Sequence, residues 1–169
     1  PLDVAATAGE YEPATLAIYA TRDLASLNVS VTDLTGPGGK IPSDAIEIRR
    51  TIRCPMRRLY TAKPTDVQMI NRFLAGWTPQ NVKAGEWREA WLTVAVPAGA
   101  SPGAYAGQVT VSTKTGTARL PLRLTVHPFR LINPPDKQLG SYYRLSSRLA
   151  DPKRAVAELE EDIQKNTRS

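Results

Sequence analysis

The sequence predicts an all-β protein, a two-sheet antiparallel β-sandwich followed by a short C-terminal strand–helix unit. Apolar and polar side chains alternate with period two along most of the first 127 residues, which is typical of strands that bury one face. The alternating segments recur about every ten residues, and Gly- and Pro-rich turns separate them. Because each sheet then has one apolar face, two sheets must face each other to bury both faces.

Six segments carry the alternation, and their spacing is typical of immunoglobulin-like and fibronectin-like sandwiches. Lys114-Thr115-Gly116 predicts a tight hairpin between the last two strands, and Pro121 predicts an edge position or a bulge because it lacks an amide donor. Between Pro55 and Gly85 the pattern fits both a strand and a short helix. The residues predicted to face inward are Leu16, Ile18, Ala20; Leu27, Val29, Val31; Ile46, Ile48, Ile52; Ala90, Leu92, Val94, Val96; Gly107, Val109, Val111; and Leu120, Leu122, Leu124, Val126.

The pattern changes after Val126. The Pro-rich stretch 127–135 predicts a stiff connector. Residues 139–143 predict a short strand, and Asp151-Pro152 predicts the start of a helix, with Asp as the N-cap. We therefore expect a sandwich domain over 1–133, and over 134–169 a linker with the first strand–helix unit of a second domain. A helix of this length cannot bury a core of its own, so we expect the rest of that domain to lie outside this chain.

The composition argues against catalysis by this chain. Cys54 is the one cysteine and His127 the one histidine, so neither a cysteine-built metal site nor an HExxH site is available. Glu86 and Glu89 bracket Trp87, but neighbours on one strand do not form the cleft that glycosidic cleavage needs. We expect no catalytic residue, no metal ligand and no cofactor.

Charge and hydropathy limit the partners. The net charge of +6 is spread over the middle of the chain and forms no dense basic stripe, so we expect no nucleic-acid partner. No apolar run reaches the eighteen or so residues of a membrane span, and we expect none.

One basic residue breaks the strand pattern. Arg50 falls on the same strand face as Ile46, Ile48 and Ile52. A buried guanidinium without a partner costs several kcal/mol, so Arg50 either reaches solvent at a sheet end or faces an acidic group of a neighbouring domain. The residues that we expect at an interdomain contact are Arg50, Arg57, Arg58 and Phe129.

Aromatic side chains raise the alternative of sugar binding, because flat rings stack on sugar faces. Trp77, Trp87 and Tyr105 are the candidate platforms. The competing interpretation is that such rings are covered by a loop or a partner domain.

Several segments, taken in order, resemble a known family. Gly9-Glu10-Tyr11-Glu12-Pro13, then Trp91 to Pro97, then Pro102 to Gly107, and finally His127 to Leu131 are similar to the N-terminal β-sandwich of glycoside hydrolase family 123-like proteins. In those proteins a (β/α)8 barrel follows the sandwich, and residues 134–169 would be its beginning.

The resemblance implies a scaffolding role. The family's catalytic Asp-Glu pair lies on the barrel, where the substrate's N-acetyl group assists the reaction, and no Asp-Glu dipeptide occurs in this sequence. It therefore implies a non-catalytic accessory domain of a glycoside hydrolase, with its own catalytic barrel as partner and an extracellular or periplasmic location. A carbohydrate-binding module that contacts a glycan and a structural or adhesive immunoglobulin-like domain remain the alternatives.

Overall fold

The computed structural model describes residues 1–57 and 67–132 and, beyond them, Glu160. The chain divides into two units, Pro1–Leu131 and Ile132–Ser169, and every described strand belongs to the first. The predicted strand at 139–143 and, except for Glu160, the predicted helix from Asp151 lie outside the described residues, so the boundary at 133 and the barrel fragment stay predictions. No helix in the described part of the chain is long and apolar enough to cross a bilayer.

The described residues form strands and one short 3-10 helix, η1. The elements are β1 (Leu2–Ala6), β2 (Tyr11–Tyr19), β3 (Leu24–Val31), β4 (Leu34–Gly36), β5 (Gly39–Ile41), η1 (Ser43–Ala45), β6 (Ile46–Arg57), β7 (Val67–Gly76), β8 (Gln80–Val82), β9 (Trp87–Ala95), β10 (Gly103–Thr113) and β11 (Gly116–Val126).

The strands form two sheets, which confirms the predicted all-β sandwich. In the seven-stranded sheet the order is β1, β11, β10, β3, β8, with β4 paired to β10 and to β5. The four-stranded sheet has the order β2, β9, β6, β7. One pair is parallel: β1 runs alongside β11, from Leu2 opposite Leu122 to Ala6 opposite Val126. The other pairs in the described residues are antiparallel.

The core contains most of the apolar positions that the alternation selects, but Ile52, which was predicted to face inward, is half-buried and lies outside it. Leu122, Leu124 and Val126 are buried on β11, whereas Arg123 and Thr125 between them are exposed. The two sheets both contribute to this core, because one apolar face cannot be buried without the other. The largest side chains that are buried completely or nearly so are Leu27, Leu34, Ile41, Val82, Leu92, Val94, Val109, Leu122, Leu124 and Val126.

Pro121 lies where the sequence places it, at a local edge. It is opposite Gln108 of β10, but the pairing of β11 with β1 begins one residue later, at Leu122. At Pro121 the strand therefore has a neighbour on one side only, which a residue without an amide hydrogen tolerates.

Tyr105 is a core residue, with 2% of its surface exposed. Its ring lies against Gly36 of β4: a Cβ built on Gly36 would lie 2.5 Å from the ring atoms Cγ and Cδ1. Its hydroxyl donates to the Ser101 carbonyl at 3.0 Å. A side chain held in this way has no open face for a sugar.

Adding a methyl group at Gly36 tests this contact. We expect Gly36→Ala to lower the free energy of unfolding by about 1–3 kcal/mol, because the new Cβ would overlap the Tyr105 ring. The measurement is urea unfolding at equilibrium. Gly116→Ala is the matched control, since nothing lies within 4 Å of a Cβ built there. Equal stability of both variants would show that Tyr105 moves freely, contrary to this packing.

Candidate functional site

The four-stranded sheet splits at one end. β6 and β9 pair from Ile46 opposite Val94 to Arg50 opposite Ala90. Beyond that point, within residues 1–57 and 67–132, β6 pairs with β7 alone and β9 pairs with β2 alone, as far as Tyr19 opposite Trp87. We call the opening between the two strands the fork.

A cavity of about 310 Å³ lies at the fork. It takes residues from both faces of the sheet, because side chains alternate along β6 and β9. Gln80 begins β8 of the seven-stranded sheet, so both sheets contribute to the cavity. The lining residues are Arg50, Thr51, Ile52, Arg53, Gln80, Trp87, Arg88 and Glu89.

Arg50 lies at the last paired position of β6 with β9, and its side chain is half-buried. Its Nε atom is buried and has no hydrogen-bond partner in the described part of the chain. The sequence singled out this residue as the break in the apolar pattern. The structure places it at the end of a ladder and in the wall of a cavity, whereas the alternative of an acidic partner from another domain stays a prediction.

Arg88 is held by a network of acceptors. Its Nε donates to Gln80 Oε1 at 3.1 Å, its Nη1 to the Trp87 carbonyl at 2.9 Å and its Nη2 to Glu86 Oε2 at 2.8 Å. Because Gln80 Oε1 faces a donor, its Nε2 must point elsewhere. That Nε2 is buried without a partner in the described residues.

Glu86 accepts two hydrogen bonds on the same oxygen. The backbone amide of Lys83 donates at 3.2 Å and Arg88 at 2.8 Å. These bonds, the Lys83 amide first and Arg88 second, lower the pKa of Glu86 below its ordinary value of 4.5. Hydrogen bonds to a carboxylate favour its charged form, so Glu86 is ionised at neutral pH.

Trp87 and Glu89 lie on the outer face of β9, as the alternation predicts. Trp87 is 37% exposed, and the Arg53 guanidinium lies over its ring, 5.3 Å from the centroid. Glu89 Oε2 accepts a hydrogen bond from Asn71 Nδ2 at 2.8 Å. This side of the fork thus combines an aromatic ring, a cation and a carboxylate.

Of the three predicted sugar platforms, Trp87 is the one at the fork. Trp77 is half-buried against the core, and its Nε1 donates to Asn28 Oδ1 at 3.2 Å. Tyr105 lies in the core. Neither of these two rings lines the fork cavity.

The residues predicted at an interdomain contact do not gather at one place in the described chain. Arg50 lines the fork cavity, whereas Phe129 follows β11, is exposed, and stacks on His127 with 5.4 Å between the ring centroids. Arg57 ends β6, but its side chain and the whole of Arg58 lie outside what the structure describes. Their role stays a prediction.

The sequence analysis missed Arg53, Gln80, Arg88 and Glu89 as members of this site. Arg88 could have been found from the sequence, because it lies on the same face of its strand as the apolar residues Ala90 and Leu92. Arg50 breaks the apolar face of β6 in the same way. In residues 1–57 and 67–132 no group of three or more His, Cys, Asp or Glu side chains could hold a metal ion.

The Glu86 network predicts a pH response. A pKa that is lower in the folded than in the unfolded chain stabilises the fold at pH above the unfolded value, and this contribution is lost as the pH falls through the folded pKa. We expect an NMR titration to give Glu86 a midpoint below 4.5. Arg88→Gln should raise that midpoint only in part, because the Lys83 amide remains.

Asp23 is the internal control for that titration. Lys83 and the Ala84 amide lower its pKa, and neither contact involves Arg88. Its midpoint should not change in the Arg88→Gln variant. A Glu86 midpoint of 4.5 or higher in the unmodified chain would contradict the network.

Comparisons with known proteins address the fold and the family. The chain is similar to a family 123 glycoside hydrolase from Clostridium perfringens, described in connection with glycolipid glycan hydrolysis, at a TM-score of 0.68 and 17% identity. The alignment covers 78% of this chain and 23% of the Clostridium perfringens enzyme. This chain therefore spans about a quarter of the length of that enzyme. A PapD-like domain of human CEP192 aligns at a TM-score of 0.36 and 12% identity, over 76% of this chain and 82% of that one. This TM-score is too low to establish a shared fold.

No curated protein matches the chain. A family model does match, the glycoside hydrolase 123 N-terminal domain, over residues 2–113. This range includes β1 to β10 in full, and it covers every residue named above as lining the fork. The chain therefore belongs to the glycoside hydrolase 123 N-terminal domain family.

Proposed function

We propose that this chain is a non-catalytic accessory domain of a glycoside hydrolase and that it packs against the catalytic barrel of that enzyme. Membership of the N-terminal domain family supports this role. So does the share of the similar family 123 hydrolase that the chain spans, 23%, which leaves most of such an enzyme to other domains. An extracellular or periplasmic location is part of the same proposal.

One observation supports the docking in particular: an arm of two strands extends past the fork. It consists of Thr51–Arg57 of β6 and Val67–Leu74 of β7, which pair with each other and not with β9. Its exposed apolar side chains include Met69 (49%) and Phe73 (56%). A two-stranded ribbon is marginally stable without a further layer, and exposed apolar surface of this kind is typical of an interaction site.

The catalytic barrel is the occupant that we assign to the arm. A domain that occupies about a quarter of a hydrolase needs a durable contact with the remainder, and contacts of that kind bury apolar side chains at their centre. β7 is the edge strand of its sheet, and natural proteins normally cover or pair such an edge.

The carboxylates at the fork do not provide hydrolysis. Two carboxyl groups are needed on opposite sides of the scissile bond, one of them protonated as the general acid. Among the described residues, Glu89 is the single carboxylate that lines the cavity. Glu86, with its lowered pKa, is ionised and cannot act as that acid near neutral pH.

The first test is an activity assay with aryl glycosides. We expect no hydrolysis by the 169-residue chain, and hydrolysis by a polypeptide of the same gene that continues through the catalytic domain. Turnover by the 169-residue chain alone, surviving rigorous purification, would refute the accessory role.

The second test addresses the arm. In the longer polypeptide we expect Met69→Asp and Phe73→Asp each to lower the melting temperature by several degrees, because each removes about 1.5–3 kcal/mol of apolar burial at the contact. In the 169-residue chain the same changes should have little effect, since both side chains are exposed there. Gln68→Asp, an exposed position on the same strand, is the control. Equal effects in both polypeptides would show that the arm does not dock.

A further inference from the structure

We infer that the fork binds a sugar acid, a pyranose that carries a carboxylate group. This goes beyond the accessory role, because docking through the arm requires no ligand at the fork. Three features of the fork support such a ligand: the charge of the cavity wall, two unpartnered donors, and an aromatic ring beside them.

The charge of the wall favours an anion. Three arginines and one glutamate line the cavity. Arg88 is neutralised by Glu86, 2.8 Å away, whereas Arg50 and Arg53 have no carboxylate within 4 Å among the described residues. The cavity thus keeps an excess of positive charge, in walls that partly exclude water and so strengthen its attraction for anions.

Two donors in the same wall lack acceptors. Arg50 Nε and Gln80 Nε2 are buried without hydrogen-bond partners in the described chain. Leaving such donors unpaired costs about 1–3 kcal/mol each, and a carboxylate supplies two acceptor oxygens. Because both nitrogen atoms are buried, a carboxylate in the cavity pairs with them only when the two side chains turn toward it. Gln80 has Nε2 left as a donor for a carboxylate, because Arg88 Nε already donates to its Oε1.

The size of the cavity and the exposed Trp87 ring favour a sugar over a small anion. A carboxylate or a phosphate is far smaller than a cavity of about 310 Å³, and neither needs an aromatic surface. Trp87 offers a partly exposed ring, and Tyr19, opposite it on β2, is also exposed. Indole rings stack on the apolar faces of pyranoses, and the Glu89 carboxylate can accept hydrogen bonds from sugar hydroxyls.

The acidic side chain of a neighbouring domain is the rival occupant. It would satisfy Arg50 but would make no use of the exposed part of the Trp87 ring, over which the Arg53 guanidinium also lies. Comparing a sugar acid with a carboxylate that has no ring separates the two occupants.

The experiment is calorimetric titration of the 169-residue chain with three probes: sodium glucuronate, glucose and sodium acetate. We expect glucuronate to bind with a Kd on the order of a millimolar. Glucose and acetate should each bind at least about tenfold more weakly, because glucose lacks the carboxylate and acetate lacks the pyranose ring.

Variants assign the binding to the fork. Arg50→Met should weaken glucuronate binding about tenfold or more, as expected for the loss of a charged donor, and Trp87→Ala should weaken it as well. Arg49→Gln is the matched control: Arg49 neighbours Arg50, pairs with Glu47 and does not line the cavity. Arg50→Lys keeps the charge but loses the planar donor and should give intermediate affinity.

Folding is checked by the melting temperature of each variant without ligand. Arg50→Met removes an unpartnered buried donor, so it should not lower that temperature. Three results would overturn the inference: no saturable binding of glucuronate, equal binding of acetate and glucuronate, or an Arg50→Met variant that folds and binds glucuronate as the unmodified chain does. None of these results bears on whether the arm docks on a barrel.

Discussion

The mutual burial of two apolar sheet faces is the constraint on which the rest of the structure depends. Each inward position on the central strands must be apolar, and β9 satisfies this with Ala90, Leu92 and Val94. The next inward positions are Arg88 on β9 and Arg50 on β6. A guanidinium cannot enter the core without a high desolvation cost. The ladder between β6 and β9 ends at Arg50, so the fork coincides with the place where apolar residues give way to arginines.

The period-two alternation was enough to predict six strands, β2, β3, β6, β9, β10 and β11, but it could not predict the short ones. β4, β5 and β8 have three residues each, too few to show a period, and they form because a neighbouring strand is present. β7 was ambiguous between strand and helix for a physical reason: its register with β6 shifts between Ile52 and Arg53. An extra residue at such a bulge breaks the alternation that the prediction uses.

The candidate site was predictable only in part. Arg50 was identified from the sequence because a charged side chain is unexpected on a strand face that is otherwise apolar. Gln80 gave no such signal, since it reaches the cavity from the other sheet, and this proximity is a product of the tertiary fold. In sequence, Tyr105 resembles a sugar platform because it is an aromatic residue in an alternating strand. Its burial depends on contact with Gly36, about seventy positions earlier, which the local pattern does not show.

The chemistry of the fork is consistent with both of our proposals, an accessory domain without catalysis and a site that binds an anion. Guanidinium groups stay charged at physiological pH and can hold an anion, but they do not exchange protons with a substrate there. Glu86 is kept ionised by its donors. General acid–base catalysis requires a group that changes its protonation state near the working pH. In our proposal, a wall of fixed charges beside an indole ring therefore orients an acidic sugar, while the carboxyl groups of a separate catalytic domain cleave the bond.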